Sequence, residues 1–94
     1  MVCDIGVVIV TYNSYSKLRN FFIKVLDSLT KLEIPSGLKI IVIIVDNNSR
    51  DETIEIVERI LRKEVEYKIV KLDRNTGLPM GYNIGALSLR DCNY

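Results

Sequence analysis

The chain has 94 residues, which is the size of one small domain. Its hydrophobic content of 48% and charged content of 27% are those of a folded globular protein and exclude a disordered segment. The formal net charge of +1 gives no strong field for nucleic acid, and the absence of histidine removes the most common general base and metal ligand.

The first predicted element is a strand over Ile5–Thr11, because this short run is β-branched and almost wholly apolar. Such a run is typical of a strand that is buried on both faces of a parallel sheet. After a polar segment, apolar residues at spacings of three and four predict a helix over residues 17–32, followed by a turn at 35–37. The apolar stripe of this helix consists of Leu18, Phe21, Phe22, Val25, Leu29 and Leu32.

The second strand is predicted over Lys39–Asp46, the strongest apolar run in the chain. A helix is expected after it, from about Asp51 to Arg62. Ser49 and Glu52 have the spacing of a capping box, in which Ser49 would be the N-cap of that helix.

A third strand is predicted over Glu66–Leu72, and its polar residues favour a position at the edge of the sheet. The last predicted element is a helix from about Pro79 to Arg90. Gly81 and Gly85, four residues apart, would let this helix approach the sheet closely. Its inner stripe is predicted to consist of Met80, Ile84 and Leu87.

The predicted order of elements is therefore β-α-β-α-β-α. Strands that alternate with helices favour right-handed crossovers and a parallel sheet, so the expected fold is an α/β, Rossmann-like three-layer sandwich. The final helix lacks the strand that it should lead into. Residues 1–94 are therefore expected to form a single but partial domain, the first half of a larger one.

Three polar loops follow the three strands and would meet at the carboxyl edge of the sheet, where parallel sheets bind ligands. We name them the first loop (Tyr12–Ser14), the second loop (Asp46–Ser49) and the third loop (Asp73–Gly77). The first loop has no G-x-G-x-x-G fingerprint, which argues against a dinucleotide site.

The residues themselves leave alternatives open at this edge. Thr11, Tyr12 and Asn13 could frame a nucleoside, or Tyr12 could merely cover the end of the sheet beside a capped helix start. Asp46 ends a buried strand, so its carboxylate needs hydrogen-bond donors, either from nearby backbone N–H groups or from a ligand. Asn83 could point to the ligand edge or be a satisfied amide on the surface of the last helix.

Taken together, the segments VVIVTYNS, IIVDNNSRDET and LDRNTGLPMGYNIGAL resemble, in order and spacing, the N-terminal half of the family 2 glycosyltransferases. The resemblance extends from about Ile5 to Tyr94. It implies an A-type glycosyltransferase fold with the strand order 3-2-1. It also implies a nucleotide-sugar donor, such as a UDP-sugar, whose sugar is transferred to an acceptor hydroxyl.

The resemblance further implies which residues form the nucleotide-binding site. One group would lie around the base after the first two strands, and a second group would help to bind the nucleotide and fix the third loop. The first group is Thr11, Tyr12, Asn13, Asp46 and Asn48, and the second is Asn75, Gly77 and Asn83.

The divalent metal of the family, Mg²⁺ or Mn²⁺, is held by a D-x-D motif that would follow Tyr94, and the catalytic base would come later still. The resemblance thus implies no catalytic and no metal-binding residue here, and predicts that the 94 residues alone are inactive. The main alternative is a non-catalytic nucleotide-binding or assembly module. A phosphoacceptor receiver domain would need an acidic pair where Tyr12 and Asn13 stand, and a dinucleotide oxidoreductase would need the glycine fingerprint.

Three expectations concern the surroundings of the chain. Without a fourth strand, which pairs with the first in A-type folds, Ile5–Thr11 would be a bare apolar edge and would favour a homodimer. The lack of a signal core or a membrane-length apolar run predicts a cytoplasmic chain, with peripheral membrane attachment left to the rest of the protein. Cys3 and Cys92 are expected to be free thiols, with a disulfide between them as the alternative.

Overall fold

The computed structural model describes residues 3–32, 37–62 and 65–89 of the chain. The boundaries of the predicted strands hold to within one residue, and the predicted order of strands and helices is confirmed. The elements are β1 (Ile5–Thr11), α1 (Ser14–Leu18), α2 (Asn20–Thr30), β2 (Ile40–Asp46), α3 (Thr53–Leu61), β3 (Tyr67–Lys71) and α4 (Leu78–Ser88).

The three strands form a parallel sheet in the order β1-β2-β3, which confirms the predicted order 3-2-1. β2 lies in the centre, and all its residues after Ile40 are buried. Side chains of the two edge strands are mostly half-buried. A strand that is apolar at every position needs cover on both faces, and the central strand receives it.

Helices cover both faces of the sheet and give the predicted three-layer arrangement. Because successive side chains of a strand point to opposite faces, β2 contributes to two separate cores. On one face, α2 and α3 pack against the sheet through a core that contains Phe22, Leu26, Val42, Ile44, Ile56, Val57 and Leu61. On the other face, α4 and the residues around it pack through Ile41, Ile43, Val45, Ile84 and Leu89.

The close approach of α4 to the sheet depends on two glycines, as predicted. A Cβ atom at Gly81 would lie 2.9 Å from Cγ1 of Val10, and one at Gly85 would collide with Cγ1 of Val8. Side chains at these two positions would therefore push α4 away from β1.

The predicted inner stripe of α4 is wrong at two of its three positions. Met80 and Leu87 are 50% and 67% exposed, whereas Ile84 packs against the core. Gly81 and Gly85 occupy the face that meets β1, and that face excludes the large residues. The helix itself was predicted correctly, but we assigned its buried face to the large apolar residues, whereas the two glycines occupy the face next to β1.

The predicted helix over residues 17–32 is broken into two. Arg19 has φ 43° and ψ −116°, so α1 ends and α2 begins at this residue. Because the break changes the helical phase, a stripe counted through one continuous helix does not stay on one face. Phe22 is buried as predicted, but Leu18, before the break, is exposed. Phe21 is exposed as well, because within α2 it points about 100° away from Phe22.

Two further expectations concern Cys3 and membrane spans. Cys3 is buried and disulfide-bonded, so the expectation of a free thiol at this position is wrong. Cys92 lies outside the described residues. Among the helices that the structure describes, none has the length and apolar character needed to cross a bilayer.

Candidate functional site

The carboxyl ends of the three strands form one edge, which we call the strand-end edge. The register pairs Thr11 with Asp46 and Asp46 with Lys71. The backbone continues this pairing beyond the strands, since the N–H of Asn47 donates to the carbonyl of Thr11 (2.8 Å) and that of Leu72 to the carbonyl of Asp46 (2.9 Å). The three loops therefore leave the sheet at the same level, as expected for parallel strands.

Asp46 is fully buried at the end of β2, and donors of this chain occupy its carboxylate. Its Oδ1 accepts hydrogen bonds from the hydroxyls of Thr11 (2.7 Å) and Ser49 (2.5 Å), and its Oδ2 accepts from the backbone N–H of Ser49 (2.8 Å). These bonds compensate for the removal of a carboxylate from water. A direct contact between Asp46 and a ligand remains a prediction.

Ser49 does not cap α3, so the predicted capping box is wrong. α3 begins at Thr53, and its N-cap residue Glu52 makes no side-chain hydrogen bond to the helix. The Ser49 hydroxyl donates to Asp46 and accepts from the N–H of Asn13 (2.8 Å). A carboxylate such as that of Asp46 is a strong acceptor and binds the hydroxyl hydrogen of Ser49, while the N–H of Asn13 donates to the hydroxyl oxygen. The Ser49 hydroxyl therefore does not cap the helix.

Asn13 joins the first loop to the segment after β2. It adopts the left-handed conformation, with φ 48° and ψ 35°, which asparagine tolerates better than most residues. Its Oδ1 accepts from the N–H of Arg50 (2.8 Å), while its own N–H donates to Ser49. Both ends of the residue are thus used to hold the two segments together.

Asp51 extends this connection to the start of α1. Its carboxylate accepts from the N–H of Ser16 (2.8 Å) and from the N–H and hydroxyl of Thr53, whose hydroxyl accepts from the N–H of Tyr15 (3.0 Å). Partial burial is the largest single influence and would raise the pKa of the Asp51 carboxyl. The hydrogen bonds from Thr53 and Ser16 together outweigh it and lower the pKa to about 2.

Other predicted site residues reach the protein surface. Tyr12 is 37% exposed, and Nζ of Lys17 lies 4.5 Å from the centroid of its ring, within cation–π range. Asn48 is half-buried and left-handed, with φ 63°. The exposed members farther along the chain are Asn75, Gly77 and Asn83.

Asn47 was not among the predicted site residues, although it lies at the centre of this edge. Its side chain is 1% exposed. Its Oδ1 accepts from the N–H (3.2 Å) and the hydroxyl (3.0 Å) of Thr76, and its Nδ2 donates to the carbonyl of Gly77 (3.3 Å). The sequence offered one indication of its role: Asn47 is a polar residue that directly follows Asp46 at the end of a buried strand.

Two open grooves lie along α3. One is lined by Glu55, Glu58, Arg59, Arg62 and Tyr67, and the other by Tyr15, Arg50, Asp51, Glu52, Glu55, Ile56 and Arg59. Both carry charges of either sign, and neither includes a residue that the sequence assigned to the nucleotide site.

The described residues do not fit a metal site. In the ranges 3–32, 37–62 and 65–89, no three side chains of His, Cys, Asp or Glu lie close enough together to hold an ion. The carboxylates of Asp46 and Asp51 are instead engaged by hydroxyl and backbone donors.

The comparison with known proteins covers most of the chain. The family model for "Glycosyl transferase family 2" matches residues 6–90. No curated protein sequence matches the chain.

Solved structures of one bacterial protein resemble the fold and the sequence. The crystal structure of S. aureus TarS has 30% identity and a TM-score of 0.76, over 90% of this chain and 14% of that one. The structure of TarS in complex with UDP-GlcNAc has 31% identity and a TM-score of 0.74, over 90% of this chain and 23% of that one. The structure of TarS in complex with UDP has 31% identity and a TM-score of 0.75, over 90% of this chain and 24% of that one. The chain therefore spans less than a quarter of the length of these relatives.

Proposed function

The chain belongs to glycosyltransferase family 2, and from that premise we propose that it forms the nucleoside-binding part of a nucleotide-sugar site. The observation that carries the proposal is the strand-end edge, where three loops leave the sheet together and are tied by buried and partly buried hydrogen bonds. TarS structures in complex with UDP and UDP-GlcNAc, which match 90% of this chain, support the proposal.

The burial of the candidate residues supports a division of roles. Thr11, Asn13 and Asp46 hold the loops in place, because their hydrogen bonds join the chain at and after the end of β1 to the chain at and after the end of β2. The exposed ring of Tyr12 offers a face on which a base can stack. Asn48, and beyond it Asn75, Gly77 and Asn83, supply amide and backbone groups for the polar parts of the nucleotide.

For the whole protein, we propose transfer of a sugar from a nucleotide donor, such as a UDP-sugar, to an acceptor hydroxyl. A divalent ion, Mg²⁺ or Mn²⁺, neutralises charge on the leaving diphosphate when bound in such sites. The residues described here would bind and orient the nucleoside, and the acids that hold the ion would come from other parts of the protein. A cytoplasmic location is part of the same proposal.

The test is an NMR titration of the 94-residue chain with UDP and UDP-GlcNAc, with ADP for comparison. We expect the largest changes in amide shift at the three loops. Tyr12→Ala should weaken binding of UDP about tenfold, since stacking of a base on an aromatic ring is worth about 1–3 kcal/mol.

The matched control for Tyr12 is Phe21→Ala, which removes another exposed aromatic ring outside the three loops. This variant should bind UDP as the unchanged chain does. If no nucleotide at millimolar concentration shifts the amides of the three loops, the nucleotide site is wrong.

A second proposal concerns assembly and is supported by β1. Within the described residues β1 pairs only with β2, and the run Ile5–Thr11 has no charged residue or proline to protect its free edge. β3, the other edge, carries the exposed Lys68 and Lys71. We infer from this contrast that, in the 94-residue chain taken by itself, β1 pairs with a second copy.

Backbone geometry provides the test of this pairing. The N–H of Ile5 and the carbonyl of Thr11 bond toward β2, so alternation along the strand puts the N–H of Val8 on the open side. Val8→Pro should block pairing with a second copy while sparing the bonds to β2. Sedimentation should detect a dimer of the unchanged chain and a monomer of the variant. A monomeric unchanged chain at high concentration would rule the pairing out.

A further inference from the structure

We propose that Asn47 is a positioning residue, whose buried amide fixes the third loop and the start of α4 at the strand-end edge. The inference deepens the proposed function and depends on it for the identity of the ligand. Its geometry rests on three hydrogen bonds between one side chain and two consecutive residues of the third loop.

The first observation is how completely Asn47 is enclosed. The side chain is 1% exposed and follows directly on the central strand, so its position is set by the most buried part of the sheet. Its carbonyl oxygen accepts two hydrogen bonds from Thr76, and its amide nitrogen donates one to Gly77. The amide of Asn47 therefore forms its hydrogen bonds with the third loop and not with solvent.

The second observation is where those bonds fall in the third loop. Gly77 has φ 85° and ψ 163°, a conformation that is essentially restricted to glycine. Its carbonyl accepts from Asn47 and also from the N–H of Gly81 (3.1 Å), the first hydrogen bond of α4. The Asn47 amide therefore holds the residue at which the loop turns into the helix.

The third observation is the lack of an alternative anchor of the same kind. Asn75 accepts from the N–H of Gly77 (2.9 Å), but that bond lies within the exposed third loop and does not reach the sheet. Among the described residues, the side-chain hydrogen bonds between the second and third loops all involve Asn47. The placement of Asn75 and Gly77, two proposed nucleotide contacts, then depends on this amide.

The chemistry of the position explains why an amide is present. Thr76 offers two donors and Gly77 offers an acceptor, so the side chain between them must both accept and donate. A carboxylate could accept from Thr76, but it would place a second negative oxygen against the carbonyl of Gly77. An aliphatic side chain would leave all three groups without this partner.

The experiment compares Asn47→Ala and Asn47→Asp in two measurements. Without nucleotide, hydrogen exchange at the amide of Thr76 should become at least tenfold faster in Asn47→Ala, because its acceptor is lost. With UDP, Asn47→Ala should bind about tenfold more weakly, an effect typical of losing about 1.4 kcal/mol of pre-organisation. Asn47→Asp keeps the acceptor for Thr76, so its exchange rate and its affinity for UDP should lie between those of the unchanged chain and those of Asn47→Ala.

Asp4→Asn is the matched control, because it weakens a side-chain bond to the backbone N–H of Lys39 (2.8 Å) at the opposite end of the sheet. It should alter neither measurement, even where its loss of stability equals that of Asn47→Ala. UDP affinity within twofold of the unchanged chain in Asn47→Ala, or an equal loss in Asp4→Asn, would overturn the inference. Failure of the unchanged chain to bind UDP would refute the nucleotide site, and the exchange of Thr76 would still decide whether Asn47 anchors the loop.

Discussion

Two junctions at the strand-end edge differ in how they are built. The junction between the first loop and the segment after β2 is held by several side chains from both segments, including Thr11, Asn13 and Asp46. In the junction between the second and third loops, every side-chain hydrogen bond among the residues that the structure describes involves Asn47. We call them the multiple junction and the single junction.

The contrast indicates which part of the edge is rigid. In the multiple junction, the loss of one outer bond leaves others that still fix the first loop. In the single junction, one amide carries all the side-chain hydrogen bonds to the third loop, so a single change releases it. In the proposed nucleotide site, we therefore expect the half at Tyr12 to be fixed by several bonds and the half at Asn75 and Gly77 to depend on Asn47.

The largest effect is expected for Asp46→Ala, which would break the multiple junction at its centre. Two hydroxyls and one backbone N–H lose their acceptor in a buried site, at a cost of about 3 kcal/mol. Urea unfolding of this variant and of Asp46→Asn would measure the loss. Asp46→Asn keeps the volume and one acceptor and should lose less. A loss below about 1 kcal/mol in Asp46→Ala would mean that the remaining bonds suffice.

Gly85→Ala would act on the single junction indirectly, by moving α4, the helix that follows the third loop. The added Cβ collides with Val8, so the helix that begins at the third loop must shift, at a cost of about 2 kcal/mol. Helix propensity alone would make the variant about 1 kcal/mol more stable. Thermal unfolding therefore distinguishes the two effects by their sign, and a raised melting temperature would contradict the close packing of α4.

Asp51 provides a pH-dependent test of the outer part of the multiple junction. Its pKa is lowered from 3.8 to about 2, so the stability that it contributes is present above about pH 4 and is lost as the pH falls toward 2. We expect a contribution of about 1 kcal/mol, because solvent screens this partly exposed carboxylate.

Urea unfolding at several pH values between about 5 and 2 would measure this contribution. Asp51→Asn should be less stable at the upper end of the range and should show a shallower loss toward the lower end. Equal slopes for the variant and the unchanged chain would show that the contacts with Ser16 and Thr53 do not depend on the charge.

The smallest effect is expected for Thr76→Val, which weakens the single junction without breaking it. The hydroxyl bond to Asn47 is lost while the N–H bond remains, at a cost of about 0.5–1 kcal/mol. Thr76→Ser keeps the hydroxyl and serves as the control in the same unfolding measurement. If Val and Ser variants are equally stable, the hydroxyl adds nothing to the junction.

The parts of the fold that were predictable follow from local patterns. The apolar runs of β1 and β2 gave the strands and the parallel sheet, and Gly81 and Gly85 indicated the close contact of α4. The break at Arg19 was not predictable, because apolar spacing through residues 17–32 does not reveal a change of helical phase.

The candidate site was predictable in position but not in its connections. Strand ends located the three loops, and the family resemblance selected residues within them. Ser49 was misassigned because capping-box spacing ignores a carboxylate three residues earlier. Asn47 was missed because its partners, Thr76 and Gly77, lie about thirty positions away and only the folded sheet brings them close.

The hydrogen bond between Thr11 and Asp46 also bears on the order of events during folding. Its partners are 35 positions apart, and they meet only at the far end of the register between β1 and β2. Such a bond forms after the strands have paired, so we expect it to be largely absent from the folding transition state. Removal of the Thr11 hydroxyl should then leave the folding rate almost unchanged and accelerate unfolding, which makes this bond a kinetic lock on the completed sheet.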